Sequence, residues 1–129
     1  MTDKKCTPSK QILIIDDDIT ALDIVSFLVQ ERGYLVERCT DGNSAITCAQ
    51  DMMPDLIIVD LMMPDINGIE TVKQIRSLGM TQVPIIAFTA VDDPDLHREA
   101  CDAGCDEVIT KPCRPDKLIK QIENKLMVK

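Results

Sequence analysis

Residues 55–68 read DLIIVDLMMPDING, and this stretch determines the fold that we predict for the chain. It opens with Asp55, continues with the apolar run Leu56–Val59 and then returns to a carboxylate at Asp60. A short run of consecutive branched apolar residues is typical of a strand buried on both faces, as in a parallel sheet. We therefore expect Asp60 to stand at the carboxyl end of a buried strand.

Similar apolar runs occur on both sides of this stretch. Residues 12–15 (ILII) and 83–88 (VPIIAF) predict two more buried strands, whereas 34–39 and 107–110 predict edge strands because they are shorter or more polar. Segments with helical period separate the strands, so strand and helix alternate five times. This alternation predicts an α/β fold with parallel strands, right-handed crossovers and helices on both faces, but it does not give the strand order. The helical segments carry the stripes Ile19, Leu22, Val25 and Val29; Ala45, Ala49 and Met52; Ile69, Val72 and Ile75; a weaker stripe within Asp95–Ala103; and Leu118, Ile122 and Leu126.

Short polar residues and a glycine mark the ends of these helices. Asp18 and Asp41 each precede an apolar stripe, and we predict both as N-caps because their carboxylates can accept a backbone N–H of the first turn. Gly33 follows the first stripe at the place where a C-cap is expected.

Length and composition restrict the class of protein. A chain of 129 residues with 45% apolar residues fits one domain with its own core. The formal charge of −8 argues against a nucleic-acid partner, because a phosphate-binding face needs clustered Lys and Arg. No apolar run reaches the roughly 18 residues of a membrane span, and the polar start does not resemble a signal peptide. We therefore expect a cytoplasmic protein with protein partners and no membrane association.

The cysteines do not form a metal-binding pattern. Six are present without a Cys-x-x-Cys pair, and His97 is the only histidine available to join them. We expect reduced thiols that are buried or half-buried, and a redox role is the alternative. His97 lies among polar residues of a predicted helix and is expected at the surface.

Polar residues that suit phosphate chemistry follow four of the predicted strands. Because ligands of parallel α/β sheets bind at the carboxyl ends of the strands, these side chains are expected to converge on one rim. Close carboxylates repel each other unless a cation lies among them, and hard oxygen ligands favour Mg²⁺. A carboxylate can also attack phosphorus, while an ammonium and a hydroxyl hold the phosphoryl oxygens. The residues are Asp16, Asp17 and Asp18 after the first strand, Asp60 after the third, Thr89 after the fourth and Lys111 after the fifth.

The sequence resembles the response-regulator receiver family of two-component signalling. Four motifs carry the resemblance in the family's order and spacing, and the match extends over about residues 10–127. It implies a CheY-like, flavodoxin-like fold: a doubly wound sheet of five parallel strands in the order 2-1-3-4-5, with five helices. We expect a flexible leader over residues 1–9 and a receiver domain over residues 10–129. The motifs are ILIIDD (12–17), DLIIVDLMMPDING (55–68), IIAFTA (85–90) and GCDEVITKP (104–112).

The resemblance also implies residue roles. Asp60 would be the phosphoacceptor, Thr89 and Lys111 would contact phosphoryl oxygens, and Thr89 would shift toward the phosphoryl group on activation. Asp17 and Asp60 would bind Mg²⁺ directly, Asp16 through water and Met62 through its backbone carbonyl. The remaining expectations are a small residue beside the phosphoryl entrance at Ala90, a cis peptide at Lys111-Pro112, a loop shaped by Pro64 and Gly68, and an N-cap at Asn67.

Two departures from the family pattern lead to further expectations. Val108 occupies a position where the family often has an aromatic residue, so movement of Thr89 must be transmitted by loop and helix shifts instead of an aromatic rotamer. Met62 and Val91 occupy positions where polar side chains can orient the hydrolytic water. We therefore predict a long-lived phosphorylated state.

The resemblance implies a signalling switch that catalyses its own phosphorylation and slow dephosphorylation. A histidine kinase or phosphotransfer protein would donate the phosphoryl group, and the surface from Pro94 to Met127 would dock on a downstream effector protein. We expect a monomer or weak homodimer without an output domain; the alternative is a receiver segment of a longer regulator or hybrid kinase.

The residues after the first strand also fit two rival protein classes. DDDIT (16–20) matches the D-x-D-x-T pattern of haloacid-dehalogenase-like phosphatases, in which Asp16 would be the nucleophile. That interpretation leaves Asp60 unexplained and lacks the late acidic pair of those enzymes. A flavodoxin would bind FMN phosphate in the same place, but a triple Asp loop repels phosphate unless a metal is present.

Overall fold

The structure is a computed structural model that describes residues 10–63 and 65–127. Predictions for residues 1–9 and for Pro64 lie outside the described residues. Strands and helices alternate along the whole described chain. In order they are β1 (Gln11–Ile15), α1 (Ile19–Gln30), β2 (Leu35–Cys39), α2 (Gly42–Met52), β3 (Leu56–Val59), α3 (Gly68–Ser77), β4 (Ile85–Thr89), α4 (Pro94–Ala103), β5 (Glu107–Thr110) and α5 (Pro115–Met127).

The strands form one parallel sheet in the order β2-β1-β3-β4-β5. The predicted flavodoxin-like fold is therefore confirmed, and the two polar strands lie at the edges as expected. The strand predicted over residues 83–88 is shifted, because β4 begins at Ile85 and extends to Thr89.

The core has two layers because alternate residues of each strand face opposite sides of the sheet. Leu13 and Ile15 face α2, α3 and α4, whereas Ile12 and Ile14 face α1 and α5. The aliphatic residues of the three central strands are fully or almost fully buried, which explains their continuous apolar runs.

The predicted caps are largely correct. Asp18, Asp41 and Asn67 each accept a backbone N–H from the first turn of the helix that follows. The C-cap of α1 is Glu31, so the placement of Gly33 as the cap was wrong by two residues; Gly33 instead adopts the left-handed conformation at φ +91° in the turn beyond it.

One residue of the predicted α1 stripe was placed incorrectly. Ile19, the first residue of α1, is 53% exposed, because it lies at the rim of the sheet, beyond the core. The buried face of α1 consists of Leu22, Val25, Ser26 and Val29. Among the described residues, no helix is both long enough and apolar enough to cross a membrane.

Candidate functional site

Backbone hydrogen bonds beyond the strand ends hold the rim together. The N–H of Asp16 donates to the Cys39 carbonyl at 3.0 Å, and the N–H of Asp60 donates to the Ile15 carbonyl at 2.9 Å. Toward the β5 edge of the sheet, the N–H of Lys111 donates to the Thr89 carbonyl at 2.7 Å. The loops that carry the predicted site residues therefore continue the sheet register: they join the end of β1 to the ends of β2 and β3, and the end of β5 to the end of β4.

Three carboxylates meet at this rim. Asp16, Asp17 and Asp60 each offer an oxygen atom within 4.8 Å of the others. Asp16 is buried, Asp60 is half-buried and Asp17 is exposed, so the cluster opens to solvent on one side. Asp18 is not part of the cluster, since its carboxylate caps α1.

Lys111 supplies the balancing positive charge. Its Nζ lies 2.8 Å from Oδ2 of Asp16 and 3.6 Å from Oδ2 of Asp60, and 5.3 Å from the centre of the Phe88 ring. The ammonium thus bridges the two less exposed carboxylates, and the aromatic face provides a favourable contact on another side.

Burial and neighbouring charges shift the pKa values of Asp60 and Lys111. Burial raises the pKa of Asp60 above its ordinary value, and the nearby Asp16 adds to that effect, whereas the N–H of Met62 and the charge of Lys111 act in the opposite direction. Burial alone would lower the pKa of Lys111, but its hydrogen bond to Asp16 and the charge of Asp60 outweigh burial and raise it. Lys111 therefore stays charged at neutral pH, and ionised Asp60 is held at a cost in free energy.

The donor set fits Mg²⁺. All three clustered side chains offer carboxylate oxygens, which are hard ligands, and neither a thiol nor an imidazole belongs to the cluster found among the described residues. Asp17 is the most accessible of the three. Both oxygens of Asp16 have protein partners already: Oδ1 accepts the N–H of Asp18 at 2.9 Å and Oδ2 accepts Lys111. The water-mediated role of Asp16 toward a metal stays a prediction.

Thr89 ends β4 on the same rim. Its side chain is fully buried, and its Oγ1 accepts the N–H of Val91 at 3.3 Å. Ala90, the predicted small residue at the phosphoryl entrance, is exposed. The Lys111-Pro112 peptide is cis, as expected.

The loop after Asp60 explains the requirement for Gly68. The N–H of Met62 donates to Oδ1 of Asp60 at 3.1 Å, and the N–H of Gly68 donates to the Leu61 carbonyl at 2.9 Å. A Cβ added at Gly68 would lie 2.6 Å from the Leu61 Cα and would also collide with the Asp60 carbonyl. The start of α3 thus packs against the backbone that carries Asp60, and only glycine allows this approach.

Sequence reasoning missed two side chains that fix loops, Asp65 beside the site and Arg76 at the opposite end of the sheet. Asp65 accepts the N–H groups of Gly42 and Asn43 at 3.1 and 3.0 Å, so the loop after Asp60 caps α2 as well as α3. These hydrogen bonds lower the pKa of Asp65. Arg76 donates to the carbonyls of Gly104, Met80 and Val83 and to the carboxylate of Asp106. The contacts of Asp65 with Gly42 and of Arg76 with Gly104 span 23 and 28 residues, and no periodic pattern points to them.

Two surface expectations need correction. His97 is half-buried, and its Nε2 lies 2.8 Å from the Val91 carbonyl oxygen. The expectation of buried or half-buried thiols fails at Cys101, which is exposed, whereas Cys113 is half-buried and Cys105 is buried against the core. Burial raises the pKa of the Cys105 thiol to about 12, so it stays protonated and unreactive at neutral pH.

Comparison with known proteins gives consistent results. The chain matches the family model of the response regulator receiver domain over residues 12–123. It is 30% identical over 120 residues to the DNA-binding response regulator MtrA of Mycobacterium tuberculosis, covering 93% of this chain and 52% of MtrA. It is 36% identical over 115 residues to the regulatory protein VanRB of Enterococcus faecalis, covering 89% of this chain and 51% of VanRB.

The solved structure of the chemotaxis response regulator CheY4 of Vibrio cholerae matches with a TM-score of 0.86 at 32% identity. The match covers 92% of this chain and 99% of CheY4. By contrast, the chain spans about half the length of the two curated relatives, 52% and 51%.

Proposed function

The chain belongs to the response regulator receiver domain family, and on that premise we propose that it accepts a phosphoryl group on Asp60 in a Mg²⁺-dependent reaction. The observation that carries this proposal is the position of Asp60: its Oδ2 lies 3.6 Å from the Nζ of Lys111, and its carboxylate belongs to the cluster with Asp16 and Asp17. The family assignment also makes the phosphatase interpretation unnecessary, since Asp60 then has a role and both oxygens of Asp16 are already hydrogen-bonded.

The chemistry assigned to Asp60 is nucleophilic. A carboxylate oxygen of Asp60 attacks the phosphorus of a phosphohistidine, a P–O bond forms, and the P–N bond breaks. The imidazole leaves with the electron pair of that bond and takes up a proton. The N–H of Met62 holds Oδ1 of Asp60, and Lys111 lies nearer to Oδ2.

Two side chains then stabilise the transferred group. Lys111 is charged and already shared between Asp16 and Asp60, so it can turn its donors toward phosphoryl oxygens without leaving the rim. Thr89 supplies a hydroxyl that is released from the Val91 N–H when it turns to the phosphoryl group. Ala90 leaves the entrance open.

The acidic cluster is the proposed binding site for Mg²⁺. Asp17, Asp60 and the Met62 backbone carbonyl would hold Mg²⁺, with Asp16 acting through water. When bound, Mg²⁺ offsets the charge of the carboxylates and of the incoming phosphoryl group.

The phosphorylated domain is proposed to signal by docking on a protein partner through the surface from Pro94 to Met127. A histidine kinase or phosphotransfer protein would supply the phosphoryl group. The net charge of −8 supports a receiver that does not itself contact nucleic acid, although MtrA is named for DNA binding. The oligomeric state, a monomer or weak homodimer, and the cytoplasmic location stay predictions.

The assignment is tested with beryllofluoride, which mimics an aspartyl phosphate. We expect Mg²⁺ and beryllofluoride to shift the NMR amide signals near Thr89 and Lys111 in the wild type. Asp60→Asn should abolish these shifts because the carboxylate that binds beryllium is lost. Equal shifts in Asp60→Asn, or none in the wild type, would refute the proposal.

Slow loss of the phosphoryl group is a separate prediction. Met62 and Val91 offer no side-chain hydrogen bond to orient a hydrolytic water, so we expect a half-life of many minutes for purified phosphorylated protein. The measurement is the decay of the phosphorylated mass after removal of the donor. Met62→Asn and Val91→Glu should shorten the half-life; decay within seconds in the wild type would show the prediction to be wrong.

A further inference from the structure

Helix α4 is the helix with the least buried attachment to the core. Ala100 is its one fully buried residue, whereas α1, α2, α3 and α5 each bury three or more. Beside it, an open groove of about 590 Å³ is lined by residues that include His97, Cys101 and Val108. Because Val108 is small, it leaves space beside α4 that a larger residue would fill. A helix with this little packing can shift at a lower cost than its neighbours.

The side chain of His97 ties this helix to the loop after β4. The Nε2 atom of His97 lies 2.8 Å from the Val91 carbonyl oxygen. A carbonyl oxygen only accepts hydrogen bonds, so Nε2 carries the proton and donates. The backbone N–H of His97 donates to the Asp93 carbonyl at 3.0 Å, which places His97 in the first turn of α4. The imidazole therefore fixes the position of that turn relative to Val91.

The same loop residue is bonded to the phosphorylation rim. The N–H of Val91 donates to Oγ1 of Thr89 at 3.3 Å, and its carbonyl accepts from His97. Two consecutive hydrogen bonds thus join the Thr89 hydroxyl to α4 through the backbone of Val91. One end of this path is Thr89, which is proposed to contact the phosphoryl group. The other end is α4, which belongs to the proposed docking surface.

We propose that His97 is a positioning residue that couples the Thr89 hydroxyl to α4 through Val91, so that phosphorylation moves this helix. The inference rests on the proposed function, in which Thr89 turns its hydroxyl away from Val91. The loop then changes position, and the hydrogen bond from His97 makes the weakly packed helix follow. This path needs no aromatic side chain at position 108.

The test compares the response of α4 with the response of the phosphorylation site. Amide shifts on adding Mg²⁺ and beryllofluoride are measured by NMR in the full chain. The variants are His97→Leu, which keeps bulk without a donor, and His97→Gln, whose side-chain amide restores a donor near Nε2. Arg98→Ala is the matched control, because Arg98 is an exposed neighbour in α4 whose ion pair is made within the helix, to Asp95.

We expect His97→Leu to reduce the shifts of residues 94–103 at least twofold while the shifts around Lys111 stay as in the wild type. His97→Gln should recover most of the α4 response, and Arg98→Ala should leave it unchanged. A merely structural role would perturb the spectrum without beryllofluoride but would not separate the two responses or be rescued by Gln.

Two results would overturn the inference. Full α4 shifts in His97→Leu would show that the helix responds without this hydrogen bond, while the proposed function would stand. No response anywhere in the wild type would overturn the proposed function and this inference together.

Discussion

At the scale of single residues, the site holds like charges close together, which costs free energy of folding. Asp16, Asp17 and Asp60 lie within 4.8 Å of one another, and Lys111 contacts only the two that are less exposed. Such like-charge clusters are typical of sites in which the charges serve binding or chemistry instead of stability. The free energy of unfolding should therefore respond to pH, to Mg²⁺ and to removal of one carboxylate.

The first prediction concerns Asp60 and pH. Its pKa in the folded state is raised above the ordinary value of 3.8, mainly by burial, so the folded state holds the proton more tightly than the unfolded state. Its contribution to stability is therefore complete below pH 3.8 and is lost as the pH rises through the raised value. Without Mg²⁺, Asp60→Asn should gain stability relative to the wild type between acid and neutral pH.

The measurement is thermal unfolding of both proteins from acid to neutral pH with a chelator present. Adding Mg²⁺ at neutral pH should raise the Tm of the wild type more than that of Asp60→Asn, because the variant has lost a ligand. A difference in Tm that shrinks as the pH rises would contradict the pKa direction.

The second prediction concerns a buried hydroxyl in α1. Ser26 is buried, and its Oγ has no hydrogen-bond partner among the described residues. Ser26→Ala removes an unsatisfied polar atom and improves helix propensity, so it should raise the free energy of unfolding by about 1 kcal/mol. Urea denaturation measures this change.

Ser77→Ala is the matched control for Ser26→Ala. The Ser77 hydroxyl is exposed and donates to the Gln74 carbonyl at 2.7 Å, so its removal should bring no gain. A loss of stability in Ser26→Ala would mean that the hydroxyl has a partner in solution.

At the scale of elements, polar side chains between loops fix the positions of helices that periodicity alone does not place. Arg76 joins the end of α3 to the loops before β4 and β5, and its side chain is only 16% exposed. Asp65 similarly joins the loop after Asp60 to the start of α2. The Asp65 contacts hold the loops at the rim, whereas the Arg76 contacts hold the loops at the amino ends of β4 and β5, the opposite end of the sheet.

The third prediction tests the Arg76 contacts. Arg76→Lys keeps the charge but loses the planar fork that reaches the carbonyls of Gly104 and Val83 together. Leaving such acceptors unpaired should lower the free energy of unfolding by about 2–3 kcal/mol, measured by urea denaturation. Arg38→Lys is the control, because Arg38 pairs with Asp23 at the exposed surface and the change there should stay within about 0.5 kcal/mol. Equal effects of the two substitutions would contradict the role given to Arg76.

The fourth prediction concerns the contact between α3 and the loop of Asp60. Gly68→Ala places a methyl group against the backbone of Asp60 and Leu61, which cannot yield without moving the phosphoacceptor. We expect a loss of about 2 kcal/mol or more in stability and weaker beryllofluoride binding. Gly79→Ala tests backbone strain alone, since Gly79 has φ +96° but open space around it, and it should leave beryllofluoride binding intact.

At the scale of the whole molecule, the sequence predicts the features that depend on local pattern. Continuous apolar runs locate the three central strands because a parallel strand is buried on both faces, and the rim residues follow because parallel strands end together. The strand order came from resemblance, since periodicity holds no information about which strands are neighbours.

Features that depend on distant contacts could not be predicted in this way. The carboxylate of Asp65 meets α2 at a separation of 23 residues, and Arg76 meets Gly104 at a separation of 28. The half-buried imidazole of His97 likewise depends on how α4 packs against the loop after β4. Helical pattern places such residues on a helix but not beside their partners.

The central claim is that Asp60 is the phosphoacceptor, and the most direct measurement is the intact mass of the protein after incubation with acetyl phosphate. With Mg²⁺, we expect the wild type to gain one phosphoryl group, and with a chelator we expect it to gain none. Asp60→Asn should gain none under either condition, whereas Ser26→Ala should behave as the wild type. Phosphorylation that persists in Asp60→Asn, or that never occurs in the wild type with Mg²⁺, would contradict the claim.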